Sequence, residues 1–225
     1  MEPLHVTVDA VVFGYERTPR VSVLLIKRKY EPQAGTWALP GGFVQPQESL
    51  EAAVLRELKE ETGVNLTYLE QLYTFGAPER DPRQRVISVA YFGLVRPETY
   101  QLRADTDAEQ VGWFDIDQLP TLAFDHAAIV QTAIERLRAK ITYEPIGFEL
   151  LEARFPFSDL ENLYSTLLGR PIDRRNFRKK IMSYGLLDEG EERVATGAGR
   201  PARLYQFNKP RYDELKQQGI LFEVK

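Results

Sequence analysis

Residues 42–64, which read GFVQPQESLEAAVLRELKEETGV, constrain the fold and chemistry of this chain more than any other stretch. Glu57, Glu60 and Glu61 stand at positions i, i+3 and i+4, so a helix brings their carboxylates together. At about 100° per residue, Glu57 and Glu61 share the stripe of Leu50, which should face the core. Carboxylates on an apolar stripe are costly unless a positive charge joins them. A hard divalent cation, most commonly Mg²⁺ beside phosphates, fits this arrangement better than Lys or Arg.

The spacing of the whole stretch is more specific than its acidic cluster. Its fixed positions are Gly42, Glu48, Arg56, Glu57, Glu60, Glu61 and Gly63. Seven such identities arise by chance in about one window in 10⁸–10⁹, given abundances of roughly 5–10% for each residue type. The pattern resembles the Nudix box, with every defining position filled. The resemblance implies a loop–helix–loop that binds divalent metal and cleaves a diphosphate linked to another group.

The resemblance also implies a role for each residue of the box. Its metal ligands, for Mg²⁺ or Mn²⁺, correspond to the carbonyl of Gly41 and the carboxylates of Glu57, Glu60 and Glu61. Glu48 and Arg56 correspond to a supporting pair, in which Arg56 orients a carboxylate through two parallel hydrogen bonds. The metal would lower the pKa of a bound water that attacks phosphorus.

Residues outside the box supply further candidates. A base often comes from a later loop, and Asp107 or Glu109 fits by position. The charged loop at residues 76–85 is either simply solvated or offers arginines to substrate phosphates, namely Arg80, Arg83 and Arg85. Three aromatic residues could stack a base, although each also suits a core: Trp37, Phe43 and Phe75. His126 is interpreted as structural, since a lone histidine is a weak pointer to function.

The first 145 residues alternate predicted strands with two predicted helices. The strands are expected at 6–15, 21–29, 66–75, 86–95 and 109–116, and the helices at 49–62 and 124–140. This alternation is typical of an α/β fold, here an α/β/α sandwich of the Nudix type. Two prolines and a glycine interrupt the periodicity at residues 142–156. We therefore expect two domains, 1–145 and 146–225.

The second domain has the pattern of a winged helix-turn-helix. Ser158 and Glu161 form a capping box for a helix that Gly169 closes. After a short turn, Asp173 is a candidate N-cap for a second helix, DRRNFRKKIMSYG, which is strongly basic. Its core face carries Phe177, Ile181 and Tyr184. Two short strands around a glycine-rich tip follow, as in a wing beside a recognition helix.

The basic residues of this second domain point to DNA. Residues 170–203 hold nine basic and five acidic side chains. Phosphates are the natural partner of such a surface, although the basic face could be merely solvated or could pack on the acidic first domain. The expected DNA contacts are Arg174, Arg175, Arg178, Lys179, Arg200 and Arg203. Asn176 either reads an adenine edge or caps the helix locally.

The order of the two domains resembles the Nudix-related transcriptional regulators of bacteria. The resemblance implies that ADP-ribose or a related nucleotide binds the Nudix domain, and that a homodimer binds operator DNA to control NAD metabolism or sugar use. Many such regulators have a degraded box, whereas this box is intact, so hydrolysis remains open. One alternative is an ADP-ribose pyrophosphatase that yields AMP and ribose 5-phosphate, with a purely structural C-terminal domain. Another is a sensor of a different phosphorylated sugar or nucleotide.

Composition bounds the remaining options. The 225 residues include no cysteine and two histidines, which disfavours disulfides and His/Cys metal sites. No apolar run approaches the length of a membrane span, so a cytoplasmic protein without membrane contact is expected. The net charge is −4, yet residues 1–145 hold 15 basic and 21 acidic side chains, whereas residues 146–225 hold 14 and 12. This asymmetry suggests different partners for the two domains.

Overall fold

The computed structural model describes residues 3–16, 20–66, 68–104, 108–194 and 201–219. By their contacts, the residues divide into two units, Met1–Arg136 and Leu137–Lys225. The boundary falls inside a long helix, α2, which spans His126–Tyr143. No helix among the described residues is long and apolar enough to cross a membrane.

Within the described residues, the first unit contains one mixed seven-stranded sheet. Its strands are β1 (His5–Glu16), β2 (Arg20–Arg28), β3 (Trp37–Ala38), β4 (Gly41–Phe43), β5 (Leu69–Phe75), β6 (Val86–Val95) and β7 (Ala108–Asp115). The main path runs β3-β2-β1-β6-β5, while β4 pairs with β1 and β7 pairs with β2. The β1–β6 pair is parallel, and the other pairs are antiparallel. The sheet explains why β6 is largely apolar, since it lies between two strands and its side chains are almost all buried.

Helix α1 (Leu50–Thr62) packs its apolar side on this sheet, where Val54 and Leu58 join one cluster with Val8 and Tyr91. The Ser49 hydroxyl caps its first turn by accepting a hydrogen bond from the Ala52 N–H at 3.2 Å. Gly63 ends the helix in the left-handed conformation, at φ 76°. The helix begins one residue after the predicted start and ends at the predicted residue. The glycine-rich stretch before the helix forms the short strands β3 and β4.

The second unit has the elements of a winged helix. They are β8 (Phe155–Pro156), α3 (Phe157–Leu168), α4 (Arg174–Ser183), β9 (Leu187–Val194), β10 (Ala202–Phe207) and α5 (Lys209–Gln217). The strands form an antiparallel sheet in the order β8-β10-β9. Leu160 and Leu163 of α3 and Phe177 and Ile181 of α4 are buried. The two helices pack through Tyr164 and Phe177, whose ring centroids lie 4.7 Å apart. The predicted order, an α/β domain followed by a winged helix-turn-helix, is confirmed.

Two details of the second unit differ from the sequence prediction. The capping box at Ser158 is wrong: α3 begins at Phe157, and Pro156 stands at its N-cap without a side-chain bond. The reason is that Pro156 belongs to β8 and pairs with Leu204, which fixes the N-cap two residues earlier. Helix α5 was not predicted, although Asn208 caps it by accepting from the Arg211 N–H at 2.8 Å.

Candidate functional site

Arg56 organises the carboxylates of the box. Its guanidinium donates two parallel hydrogen bonds to Glu48, from Nε at 3.0 Å and from Nη2 at 2.6 Å. Its third nitrogen, Nη1, donates both to Glu57 at 2.8 Å and to Glu60 at 3.2 Å. One planar cation therefore orients three carboxylates, a task that the fork geometry of arginine performs better than lysine.

Glu48 and Glu57 differ in their electrostatics. The hydrogen bonds from Arg56, followed by the N–H of Gln45, lower the pKa of Glu48 to about 2. Glu57 behaves oppositely, because burial, the largest influence, and the nearby charges of Glu60 and Glu48 raise its pKa despite the hydrogen bond from Arg56. Its negative charge is thus under-compensated, and an additional cation beside it would stabilise the ionised form.

Glu61, Gly41 and Gly42 form a second set of close contacts in and beside the box. Glu61 is only 4% exposed, and its Oε2 accepts from the Gly41 N–H at 2.8 Å. A Cβ at Gly41, where φ is 156°, would lie 2.1 Å from the Val8 carbonyl oxygen, and a Cβ at Gly42 would lie 2.4 Å from Oε1 of Glu57. Glycine therefore allows β4 to lie this close to β1 at position 41 and to the helix at position 42.

The donor chemistry of the box suits a hard divalent cation, because one turn of α1 presents three carboxylates. In the arrangement described, however, no three Asp, Glu, His or Cys side chains among the described residues converge as a metal-holding group. Glu57 and Glu60 bond Arg56, whereas Glu61 bonds Gly41. The ligand roles of Gly41, Glu57, Glu60 and Glu61 therefore stay a prediction.

A cavity of about 200 Å³ adjoins the Glu61 side of the box. Gly41, Gly42 and Glu61 line one end. The remaining wall combines cations with aromatic rings, namely Arg28, Lys29, Arg80, Arg83, Tyr30, Phe43 and Phe124. A cleft that joins carboxylates, guanidinium groups and rings can hold a diphosphate together with a nucleoside.

The structure separates the three arginines that the sequence proposes for phosphate binding. Arg80 is almost wholly buried and donates to both oxygens of Asp125, at 2.9 and 2.7 Å. Arg83 lines the cavity with a side chain 43% exposed, and it pairs with Asp81 at 2.7 Å. Arg85 donates to the Ala77 carbonyl at 3.1 Å and does not line the cavity. Arg83 is consequently the one of these three arginines that both lines the cavity and keeps an exposed guanidinium.

The floor of the cavity is formed by Asp9, Arg80 and His126. Sequence reasoning missed this cluster. Asp9 is 5% exposed, and its Oδ2 accepts a hydrogen bond from the Ser88 hydroxyl. Arg80 Nη2 lies 3.6 Å from the same oxygen. The signal available in the sequence was a charged residue, Asp9, between the apolar residues of strand β1. Such a residue is costly unless it is paired, so it marks a polar site.

His126, which the sequence analysis interprets as structural, also lines the floor of the cavity. Its Nδ1 accepts from the Leu39 N–H at 2.9 Å, and its Nε2 lies 3.6 Å from Asp9. Burial lowers the pKa of His126, so the imidazole is neutral near pH 7. Both ring nitrogens therefore have fixed roles, and His126 holds the loop before β4 against the cavity.

Among the remaining candidates that the structure describes in the first unit, one lines the cavity and the others do not. Glu109 pairs with Lys27 at 3.6 Å and does not line the cavity, while Asp107 lies outside the described residues. Trp37 packs edge-on against Phe114, and Phe75 packs against Tyr73. The exception is Phe43, which lines the cavity and is 41% exposed.

The second unit exposes a basic face on α4. Asp173 caps the helix by accepting from the Asn176 N–H at 3.1 Å, as predicted. The Asn176 amide also donates to Asp173, at 2.7 Å, so Asn176 caps locally. The side chain of Arg174 is 70% exposed, at 3.9 Å from Glu161. Arg175 and Lys179 are exposed as well. These three cations are available to phosphates.

The other predicted DNA contacts that the structure describes are bound to side chains of neighbouring elements. Arg178 donates to the Tyr205 hydroxyl at 2.7 Å. Arg203 pairs with Glu189 on the neighbouring strand, which neutralises much of its charge. Arg200 lies outside the described residues. Of the predicted DNA contacts among the described residues, the exposed ones with no hydrogen bond to another element are therefore Arg174, Arg175 and Lys179, on the first two turns of α4.

Comparison with known proteins assigns both units to families. A family model of the NUDIX domain matches residues 3–134, and a model of the NrtR DNA-binding winged helix domain matches residues 147–207. The chain is 35% identical over 211 residues to the ADPR responsive transcriptional repressor NtrR of Acinetobacter baylyi, covering 92% of this chain and 83% of the relative. It is also 45% identical over 109 residues to the ADP-ribose pyrophosphatase of Methanocaldococcus jannaschii, covering 48% of this chain and 63% of the relative.

Solved structures agree with this assignment. Shewanella oneidensis NrtR matches with a TM-score of 0.79 and 36% identity, over 92% of this chain and 95% of that one. The same protein complexed with a 27mer DNA gives a TM-score of 0.77, 35% identity and the same coverages of 92% and 95%. Its NUDIX domain complexed with ADP ribose gives 0.56 and 40% identity, over 61% of this chain and 90% of that one. The chain therefore belongs to the Nudix family and, within it, to the NrtR-type regulators, which join a Nudix domain to an NrtR winged helix domain.

Proposed function

We propose that this protein is a transcriptional repressor that binds ADP-ribose or a related nucleotide in its Nudix domain and operator DNA through its winged helix. The observation that carries the proposal is the pairing, in one chain, of a cavity beside the Nudix box with an exposed basic face on α4. The proposal assigns ligand binding to residues 1–145 and DNA binding to residues 146–225, in a homodimer whose symmetry matches that of operators.

The cavity offers groups for each part of ADP-ribose. The exposed guanidinium of Arg83 suits a phosphate oxygen. The exposed ring of Phe43 suits the adenine, because every base presents a face on which an aromatic ring can stack. Support comes also from relatives, since S. oneidensis NrtR has been solved with ADP ribose in its NUDIX domain.

The winged helix offers α4 to the duplex. Arg174, Arg175 and Lys179 are exposed along its first two turns, in the element that a winged helix places in the major groove. Support comes from S. oneidensis NrtR, which has been solved with a 27mer DNA.

Hydrolysis of the bound nucleotide is the second candidate activity, and the intact box favours it. We propose that Glu57, Glu60 and Glu61 hold Mg²⁺ or Mn²⁺, with the Gly41 carbonyl, once the acidic side chains exchange their bonds to Arg56 and Gly41. When bound, the metal supplies charge neutralisation and an acidified water. Arg56 keeps Glu48 oriented through their two parallel hydrogen bonds, and the buried Asp9, Arg80 and His126 fix the cavity floor against which the nucleotide lies.

Calorimetric titration of ADP-ribose tests ligand binding, with Arg83→Ala and Arg85→Ala as a matched pair. Both variants remove one arginine from the same loop, yet only Arg83 lines the cavity. We expect Arg83→Ala to weaken binding by about 10- to 100-fold, the value of a charge-assisted contact, and Arg85→Ala to change it less than about threefold. Equal effects of the two substitutions, or no binding by the unmodified protein, would contradict the proposed site.

A further inference from the structure

Arg178 differs from the other basic residues of α4 in its surroundings. Arg174, Arg175 and Lys179 project from the helix as exposed cations. Arg178 directly follows the buried Phe177, at the edge of the face that packs into the unit. Although the residue as a whole is exposed, its guanidinium is turned to neighbouring elements.

The guanidinium of Arg178 makes two kinds of contact. Its Nη2 donates to the Tyr205 hydroxyl at 2.7 Å. Its Cζ lies 4.4 Å from the centroid of the Phe157 ring and 5.6 Å from that of Tyr205. The two rings meet edge to face, with centroids 5.8 Å apart and an interplanar angle of 79°. A cation is attracted to such ring faces, and a planar one stacks there best.

The partners of Arg178 lie on the elements that define the wing. Tyr205 is 4% exposed and sits on β10, the central strand of the sheet, where it pairs with Phe155 of β8 and with Glu189 of β9. Phe157 is equally buried and begins α3. Arg178 therefore connects the basic helix to both the preceding helix and the strand that leads out of the hairpin.

We propose that Arg178 is a positioning residue for DNA binding, which fixes the orientation of α4 against β10 and does not itself contact phosphate. This inference rests on the DNA-binding function proposed above. With α4 held at a fixed angle to the sheet, its exposed cations and the β9–β10 hairpin meet the duplex in one register. A phosphate contact by Arg178 would require its guanidinium to leave the Tyr205 hydroxyl and the Phe157 ring.

The salt dependence of DNA binding separates positioning from phosphate contact. Each phosphate neutralised by a basic side chain contributes about 0.9 to the slope of log affinity against log salt concentration. We expect Arg178→Ala to lower affinity by about tenfold or more at every salt concentration and to leave the slope unchanged, because fixing a loosened helix on binding costs free energy that does not depend on salt, whereas the phosphate contacts of the complex stay the same in number. Lys179→Ala, the neighbouring control, should reduce the magnitude of the slope by about 0.9.

Variants of Tyr205, the uncharged partner of Arg178, form the second part of the experiment. Tyr205→Phe removes only a hydroxyl, so it should weaken DNA binding in the same direction with an unchanged slope. The double variant Arg178→Ala with Tyr205→Phe should be no weaker than Arg178→Ala alone, since the two residues act through one contact. Arg178→Lys should fail to restore full affinity, because an ammonium cannot replace the stacked planar group.

The measurements use a duplex that the unmodified full-length protein selects from a random pool, at a temperature where circular dichroism shows every variant folded. The inference is overturned if Arg178→Ala lowers the slope as Lys179→Ala does, if Tyr205→Phe binds like the unmodified protein, or if Arg178→Lys restores affinity. If the unmodified protein selects and binds no duplex at low salt, the proposed DNA-binding function itself fails, and this inference fails with it.

Discussion

Replacing Glu60 by Gln should abolish most metal-dependent hydrolysis of ADP-ribose while leaving the fold intact. Glu60 is a predicted metal ligand whose side chain is 48% exposed and bonds Arg56 at 3.2 Å. The substitution keeps an acceptor oxygen but removes the charge that a divalent cation requires. We expect turnover with Mg²⁺ to fall by about 100-fold or more and the melting temperature to change by no more than about 2 °C.

Glu135→Gln is the matched control for this experiment, since Glu135 is also exposed on a helix of the first unit but lies far from the box in sequence and does not line the cavity. It should hydrolyse ADP-ribose like the unmodified protein. Activity that survives Glu60→Gln would place the metal elsewhere. An unmodified protein that binds ADP-ribose without turning it over would mean that the box serves binding alone.

Removing two exposed cations from α4 should produce the second large effect. Arg175→Ala with Lys179→Ala is expected to lower the slope of log DNA affinity against log salt concentration by about 1.8 and to weaken binding by about 10- to 100-fold near 0.1 M salt. Arg178 is not a suitable member of this pair, because it bonds Tyr205 and its loss would change the orientation of the helix. ADP-ribose binding should be unaffected.

Arg20→Ala with Lys209→Ala serves as the control, because it removes the same charge from exposed positions outside α4. Salt titrations with both double variants then distinguish a local contact from a general loss of positive charge. Equal slopes for the α4 variant and the control would show that α4 does not carry the phosphate contacts.

Helix α1 and its site were largely readable from the sequence, because the information is local. Ser49 and Gly63 mark the helix ends through backbone chemistry that involves only neighbouring residues. The helical period places Glu61 on the buried stripe, where the structure has it at 4% exposure. The bidentate Arg56–Glu48 pair followed from the resemblance to the Nudix box.

The cavity could not be predicted in the same way, because residues distant in sequence build it. Asp9, Arg80 and His126 meet only after β1, the loop before β6 and the start of α2 have assembled. Their pairing depends on strand register and tertiary contact, which no short-range pattern encodes. For the same reason, Arg83 and Arg85 look equivalent in the sequence, although only Arg83 lines the cavity.

The winged helix shows the same division between local and distant information. The Asp173 cap and the buried Phe177 and Ile181 follow from the sequence of α4 alone. The engagement of Arg178 by Tyr205 depends on β10, 27 residues further along the chain. A list of basic residues therefore overestimates the number of cations available to DNA, and the structure reduces the list to those without a fixed partner across the fold.

The most direct test of the account is the affinity of the full-length protein for its selected duplex, measured with and without saturating ADP-ribose. Measurements without divalent metal keep the nucleotide intact. A nucleotide-responsive repressor requires that the two binding events be coupled, so ADP-ribose should change the DNA affinity by about fivefold or more, and DNA should change the ADP-ribose affinity by the same factor. An unchanged DNA affinity, with ADP-ribose demonstrably bound, would contradict the claim that this protein is an ADP-ribose-responsive regulator.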